Sequence, residues 1–274
     1  MEVCTIYSNN IHVHQMSEHH WRLTQDNAPA YVCMDLIIGT KRALLIDTGY
    51  GNAALSDTVK TLTHLPLTIA ISHAHADHMG GVFEFKQPIL ISEDEYLRII
   101  SDTESQFFPS VRHYFEKSKP VLLTEHQSID LGGIDFETIK TPGHTPGCIS
   151  FYNKTNKELF SSDSLCPAIM LWEPLNQSIQ QLKTTAKKLS HMNIHRLWTG
   201  HQKAPFDEKA VSIYIETILG QTSMITVKEA SNIQLCTSSR WIKHLEGKNI
   251  SEIYRDYVNS PEFSCIFLMG VKHQ

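Results

Sequence analysis

The sequence has no long apolar run. Its longest, YVCMDLIIG at 31–39 and ALLID at 43–47, fall far short of the roughly 20 residues a membrane-spanning helix needs, so no membrane partner is expected. Blocks of like charge are missing too, and 24 basic against 29 acidic side chains give a net charge of −5. A chain of that sign without a basic stripe is not built for nucleic acid. Cysteines are scattered, at Cys4, Cys33, Cys148, Cys166, Cys236 and Cys265, and no CxxC pair occurs. This argues against a disulfide framework and predicts reduced, mostly buried thiols. The opening MEVCTIYSNNIHVH lacks a basic start followed by an apolar stretch. A secretory signal is therefore not expected, and the reading is a soluble, cytoplasmic protein. Internal repeats and low-complexity segments are also absent.

What is present is a length of 274 residues, enough to enclose a substantial core. Short apolar runs predict strands at 31–39 and 44–49, joined by Thr40–Lys41–Arg42, and further strands at 67–72, 88–92, 134–140, 148–153, 158–162 and 195–200. Helical periodicity covers 52–63 through Ala54, Leu55, Val59 and Leu62. It returns at 93–118 with a break near Pro109, on the face formed by Ile179, Leu182, Ala186 and Leu189, and at 207–219. Strands interleaved with helices predict a layered α/β protein. Residues 1–219 read as the main domain. Residues 220–274, with Trp241 and Tyr254, read as a C-terminal extension packed on it.

Histidine is abundant, at sixteen residues, and its placement is uneven. In SHAHADHMGG, residues 72–81, His73, His75, Asp77 and His78 leave a buried strand and run into two glycines. Residues two apart on a chain leaving a strand point the same way, so His73 and His75 can reach one point, with Asp77 and His78 just beyond. Imidazole nitrogens and carboxylate oxygens are donors suited to zinc. Three later strand ends offer more: His144 in TPGHTPG, Asp163 in SSDS and His201 in WTGHQ. Rigid elements commonly hold functional side chains at such strand-to-loop transitions.

In that order these residues resemble the metallo-β-lactamase-fold superfamily of hydrolases. The chain has HxHxDH at 73–78, then His144, Asp163 and His201. IDTGYG at 46–51 is similar to the family segment in which an aspartate after an early strand supports the site. The resemblance spans roughly residues 30–202. It implies a four-layer αββα sandwich of the metallo-β-lactamase type. It implies a first zinc on His73, His75 and His144, a second on Asp77, His78 and His201, and Asp163 bridging them. The implied cofactor is two Zn2+, and the same donors accept iron or manganese. Several antibiotic-hydrolysing members carry cysteine where this chain has Asp163; aspartate is typical of the glyoxalase II-like, lactonase and phosphodiesterase branches.

The implied activity is dinuclear, metal-dependent hydrolysis of a small ester, thioester, lactone or related acyl compound. A hydroxide shared by the two metals would attack, and Asp77 would orient it or relay its proton. No organic cofactor is needed. The same metal pair suits a phosphodiester or phosphonate, and a single iron would suit persulfide dioxygenase-like chemistry. An intact ligand set weighs against a non-catalytic binding protein. Asp47 reads either as an acceptor for a ligand histidine or as a turn residue before Gly49. SLCPAIMLWEP, 164–174, with Met170, Leu171 and Trp172, predicts a greasy recognition loop, to which Tyr96, Phe107, Phe108 and Tyr114 would add unless they pack in the core. No basic cluster follows Asp163, which leaves Arg98, Arg112 and Lys117 as candidate cations for an anionic substrate. In HVHQMSEHH, 12–20, His12 and His14 share a strand face and read as surface or core-edge residues. Cys148 and Cys166 read as inert buried thiols.

Overall fold

The computed structural model describes residues 6–8, 10–27, 30–51, 53–101, 109–171, 175–220, 223–226, 233–237, 252 and 265–269. The chain divides into two compact units. One comprises 1–139, 151–155 and 200–203; the other comprises 140–150, 156–199 and 204–274.

The first unit is built on an eight-stranded sheet in the order β1 to β8. Strands β1 (Ile6–Ser8), β2 (Ile11–Gln15), β3 (His20–Asn27), β4 (Ala30–Ile38) and β5 (Ala43–Ile46) form an antiparallel meander. In β2 the alternation IHVHQ buries Ile11 and Val13 and turns His12 and His14 to the other face. The Gly39 N–H donates to the Arg42 carbonyl at 3.0 Å and closes the β4–β5 turn. From β5 onward the sheet is parallel, through β6 (Leu67–Ala70), β7 (Ile89–Ser92) and β8 (Val121–Leu123). Apolar runs such as ALLI suit that half, because crossover helices cover parallel strands. Those crossovers contain α1 (Leu55–Leu62), the short α2 (Ala76–Met79), α3 (Glu93–Ser101) and α4 (Pro109–Lys117). Leu55, Thr58 and Val59 of α1 face inward. The helical stretch expected at 93–118 is thus two helices, and 102–108, with Phe107 and Phe108, lies outside the described residues.

A hairpin of β9 (Ser128–Asp130) and β10 (Asp135–Lys140) follows, and then β11 (Ile149–Asn153), buried at every position. In the second unit, β12 (Glu158–Ser162) pairs in parallel with β14 (Arg196–Thr199). The connection between them includes α5 (Leu175–Leu189), which buries Leu182, Thr185, Ala186 and Leu189. The two-residue β15 (Phe206–Asp207) pairs with β14. Asp207 then caps α6 (Glu208–Leu219) by accepting from the Ala210 N–H at 2.9 Å.

The apolar stretch after Asp163 is not the open loop its composition suggests. Residues Ala168–Leu171 form β13, which pairs in parallel with β18 (Cys265–Met269), and Ile169 and Leu171 are buried. With β17 (Ile233–Thr237) and β16 (Ser223–Thr226) they make a four-stranded sheet. Trp172, Trp241 and Tyr254 lie outside the described residues. Tyr96 and Tyr114 pack edge-on against Phe115, a core residue.

The core of the first unit also holds a full charge pair. Arg22 on β3 is 0% exposed. Its Nη1 donates to both Asp35 oxygens at 2.7 and 2.6 Å, while Nε and Nη2 donate to the Gln202 carbonyl at 3.0 and 2.6 Å. His20 meets Asp35 at 2.7 Å. Burial is the largest single effect on Asp35 and pushes its pKa up, but the Arg22 charge and the hydrogen bonds from His20 and Arg22 together hold it below the usual carboxylate value.

Asp35→Asn is therefore expected to cost about 3–5 kcal/mol at pH 6, because it strands a buried guanidinium. A carboxyl whose pKa falls on folding stabilises above its unfolded value, near 3.9, and that contribution is lost as pH drops through the folded value. In urea unfolding, the gap between wild type and variant should be full at pH 6 and shrink below about pH 4.

Candidate metal centre

Three parallel strands of the first unit end at one edge of the sheet, and each delivers a functional group there. Asp47 follows β5, the HAHADH run follows β6, and Glu95 lies in the first turn of α3, directly after β7. The carboxyl ends of parallel strands are the usual ligand-binding edge of such sheets.

Asp47 organises this edge. Its backbone is left-handed, with φ 64°, and its N–H donates to the Ala70 carbonyl at 2.9 Å. The carboxylate accepts from the Ser72 N–H at 2.8 Å, the Ser72 hydroxyl at 2.8 Å and His78 Nδ1 at 2.9 Å. An ionised carboxylate only accepts, so the His78 proton is on Nδ1. With its hydroxyl hydrogen committed to Asp47, the Ser72 oxygen accepts from His73 Nδ1 at 3.0 Å. One carboxylate thus sets the tautomer of two histidines, and both turn Nε2 the other way.

The Nε2 atoms have consistent surroundings. His73 Nε2 lies 3.1 Å from His75 Nδ1. His78 Nε2 lies 3.5 Å from Asp77 Oδ2, and His201 Nε2 lies 3.6 Å from the same oxygen. Donor atoms of Asp77, His78 and His201 all fall within 4.8 Å of one another. His201 is oriented by its Nδ1, which donates to the Tyr31 carbonyl at 2.7 Å. Its segment is held by the Cys33 N–H on the Gly200 carbonyl at 2.7 Å and by Arg22 on the Gln202 carbonyl. The Cys33 thiol is itself buried, which pushes its pKa up to about 11.

The second unit brings its two predicted residues together. His144 Nδ1 donates to the Met170 carbonyl at 2.6 Å, and His144 Nε2 faces Asp163 Oδ2 at 3.7 Å. Asp163 follows a break in the β12–β14 register between Phe160 and Ser162, where Ser162 takes φ 49°. Such a break re-aims the next side chain. Gly143, at φ 147°, passes so close to Leu182 that a Cβ would lie 2.8 Å from it.

The paired glycines after His78 have a steric cause. A Cβ on Gly80 would lie 2.4 Å from the Tyr50 carbonyl oxygen, and one on Gly81 would lie 2.3 Å from that of Thr48. The HMGG turn therefore packs backbone to backbone on DTGYG, where the Thr48 N–H also donates to the His78 carbonyl at 2.7 Å. Sequence reasoning missed Glu95. This carboxylate is 0% exposed and accepts from the Ala74 N–H, between the two leading histidines, at 2.7 Å. Within EDEYLRIIS it looks like one of three solvated first-turn acids. Cys148 and Cys166 are buried, and Cys148 Sγ lies 3.0 Å from the Thr145 hydroxyl.

These donors fit metal ions. Two ligands at about 2.0–2.1 Å from one tetrahedral zinc stand about 3.3–3.4 Å apart. The four pairs here, at 3.1, 3.5, 3.6 and 3.7 Å, bracket that spacing.

Comparisons with known proteins agree with this chemistry. Residues 35–201 match the family model described as the metallo-beta-lactamase superfamily. An acyl-coenzyme A thioesterase of Gallus gallus is 30% identical over 165 residues, covering 51% of this chain and 60% of that protein. A hydroxyacylglutathione hydrolase of Xanthomonas oryzae is 28% identical over 130 residues, covering 47% and 44%. This chain therefore spans 60% and 44% of the lengths of these two relatives, less than two thirds of either. The crystal structure of a metallo-beta-lactamase family protein from Thermus thermophilus superposes with a TM-score of 0.59 at 20% identity, over 74% of this chain and 78% of that one. That likeness establishes the fold.

Asp47→Ala removes the acceptor of three donors. It should destabilise the protein by about 2–4 kcal/mol, since each buried donor left without a partner costs about 1–3 kcal/mol and water re-enters part of the gap. Urea denaturation at neutral pH measures this directly.

Proposed function

Because this chain belongs to the metallo-beta-lactamase superfamily, we propose that it is a dinuclear metal-dependent hydrolase of small acyl compounds, with thioesters the leading class. The observation that carries the reading is the set of four donor pairs at ligand spacing, with the Nδ1 atoms of His73, His78, His144 and His201 each committed elsewhere. Outer partners of this kind fix ring orientation and raise ligand basicity. The two relatives named above act, by their names, on an acyl-coenzyme A and on a hydroxyacylglutathione. Both substrates are thioesters.

In this reading His73, His75 and His144 would hold one ion and Asp77, His78 and His201 the other, with Asp163 a further ligand. The ions of choice are zinc, although the donors also accept iron and manganese. Metal at such a site supplies positive charge for the substrate oxygen and lowers the pKa of water from 15.7 to about 7. The protein's own groups do the rest. Asp47 and Ser72 keep His78 and His73 in the tautomer that turns Nε2 inward, and Glu95 fixes the peptide between His73 and His75. Asp77, with its Oδ2 shared between His78 and His201, has Oδ1 to orient the attacking water or take its proton. A net charge of −5 favours a small-molecule substrate over a nucleic acid.

Elemental mass spectrometry of untagged protein, purified without added metal, should find close to two zinc ions per chain. One iron per chain would instead favour oxygen-dependent sulfur chemistry and overturn the hydrolase reading. His75→Ala should reduce thioester turnover by at least about a thousandfold while leaving the urea midpoint nearly unchanged. A panel of thioesters, esters, lactones and bis(p-nitrophenyl) phosphate decides the electrophile, with thioesters expected to lead.

A further inference from the structure

Arg98 and Arg112, two of the cations considered for an anionic substrate, have carboxylate partners: Arg98 faces Glu95 at 3.5 Å and Arg112 faces Glu116 at 3.8 Å. Lys203 differs. It is exposed, and its ammonium makes no ion pair among the described residues. It lies two residues past His201, on the segment that Arg22 and Cys33 hold by its carbonyls. Its Nζ stands 4.9 Å from the centroid of the Tyr31 ring. The carbonyl of that same Tyr31 orients His201. Tyr31 therefore contacts both residues, the ammonium through its ring and the imidazole through its carbonyl.

The neighbouring charges leave the ammonium unneutralised. Asp26 stands opposite Tyr31 across β3 and β4, but His12 Nε2 engages its carboxylate at 2.9 Å. His14 is held toward its neutral form by burial first, then by Lys203 and His12. An ordinary surface lysine keeps its full rotamer freedom and gains little from an ion pair. Here the neighbouring carbonyls of Gly200 and Gln202 are held by hydrogen bonds, and the ring face contributes about 0.5–1 kcal/mol to holding the cation in place. Part of the ordering cost of binding an anion is thus already met.

We infer that Lys203, seated on Tyr31, anchors an anionic group (a carboxylate or a phosphate) on the thiol portion of an acyl thioester substrate. This deepens the hydrolase reading and rests on it. It also places the basic group that such a substrate needs after His201 rather than after Asp163.

The test is equilibrium binding, with no turnover required. Three non-hydrolysable thioethers are titrated calorimetrically into the metal-loaded full chain: S-butylglutathione, S-butyl-coenzyme A and the neutral S-butyl-N-acetylcysteamine. Lys203→Met should weaken one of the two anionic thioethers about tenfold, and Lys203→Arg should recover most of that loss. The neutral thioether should shift less than about twofold. Which anionic probe responds tells carboxylate from phosphate. Equal weakening of neutral and anionic probes, or failure of both anionic probes to bind, overturns the inference. A chain that shows the charge-dependent binding yet hydrolyses no thioester keeps the anchor and sinks the hydrolase reading, so the two fail separately.

Discussion

The candidate centre hangs on one carboxylate. Asp47 sits in a left-handed backbone state that costs an L-residue roughly 1–2 kcal/mol. The surroundings over-determine it: its N–H is bonded to β6, and its side chain accepts from two groups of Ser72 and from His78. That geometry ties the end of β5 to the end of β6. It also transmits orientation, directly to His78 and through the Ser72 hydroxyl to His73. Strain of this kind persists only where neighbours enforce it, and it clusters at functional sites. A residue satisfied with β-region dihedrals would leave the chain running straight on, with no acceptor under either imidazole.

Around Asp47 the backbone does work that side chains usually do. Gly80 and Gly81 lie on Tyr50 and Thr48 with no room for a Cβ, and Glu95 holds the Ala74 N–H. His201 is reached by a separate route. Its segment is fixed by the buried guanidinium of Arg22, which accounts for a full charge in the interior of a sheet. A buried pair is weak evidence for stability in itself, since apolar replacements can serve as well. Its use here is positional: the guanidinium fork matches one carboxylate and one carbonyl at once, which no apolar side chain reproduces.

What was legible in the sequence is what is local. HxHxDH and its two glycines are consecutive, so their chemistry and their turn read directly from the chain. Parallel strands such as ALLI were legible because burial on both faces removes polar alternation. Long-range partnerships were not. Glu95 is one acid among three, and only the approach of the β6 loop selects it. Arg22 and Asp35 sit opposite one another in β3 and β4, where a charge reads as solvent-facing unless the partner strand and Gln202 are known. The stretch after Asp163 reads as an apolar loop because β18, the strand that makes β13 a strand, arrives far later in the chain. The aromatics Tyr96 and Tyr114 had two readings, and packing on Phe115 decides for the core.

The charges around His78 fix which of its two nitrogens faces outward from Asp47. His78 lies between two carboxylates, Asp47 on the Nδ1 side at 2.9 Å and Asp77 on the Nε2 side at 3.5 Å. The two differ in setting: Asp47 is buried and takes three hydrogen bonds, whereas the Asp77 side chain is 25% exposed. In the proposed centre His78 Nε2, Asp77 and His201 would hold one ion together, while His78 Nδ1 donates to Asp47. The tautomer that Asp47 imposes is thus the one that leaves Nε2 without a hydrogen. In the proposed centre the same carboxylate that shapes the backbone would therefore present the opposite nitrogen as a ligand.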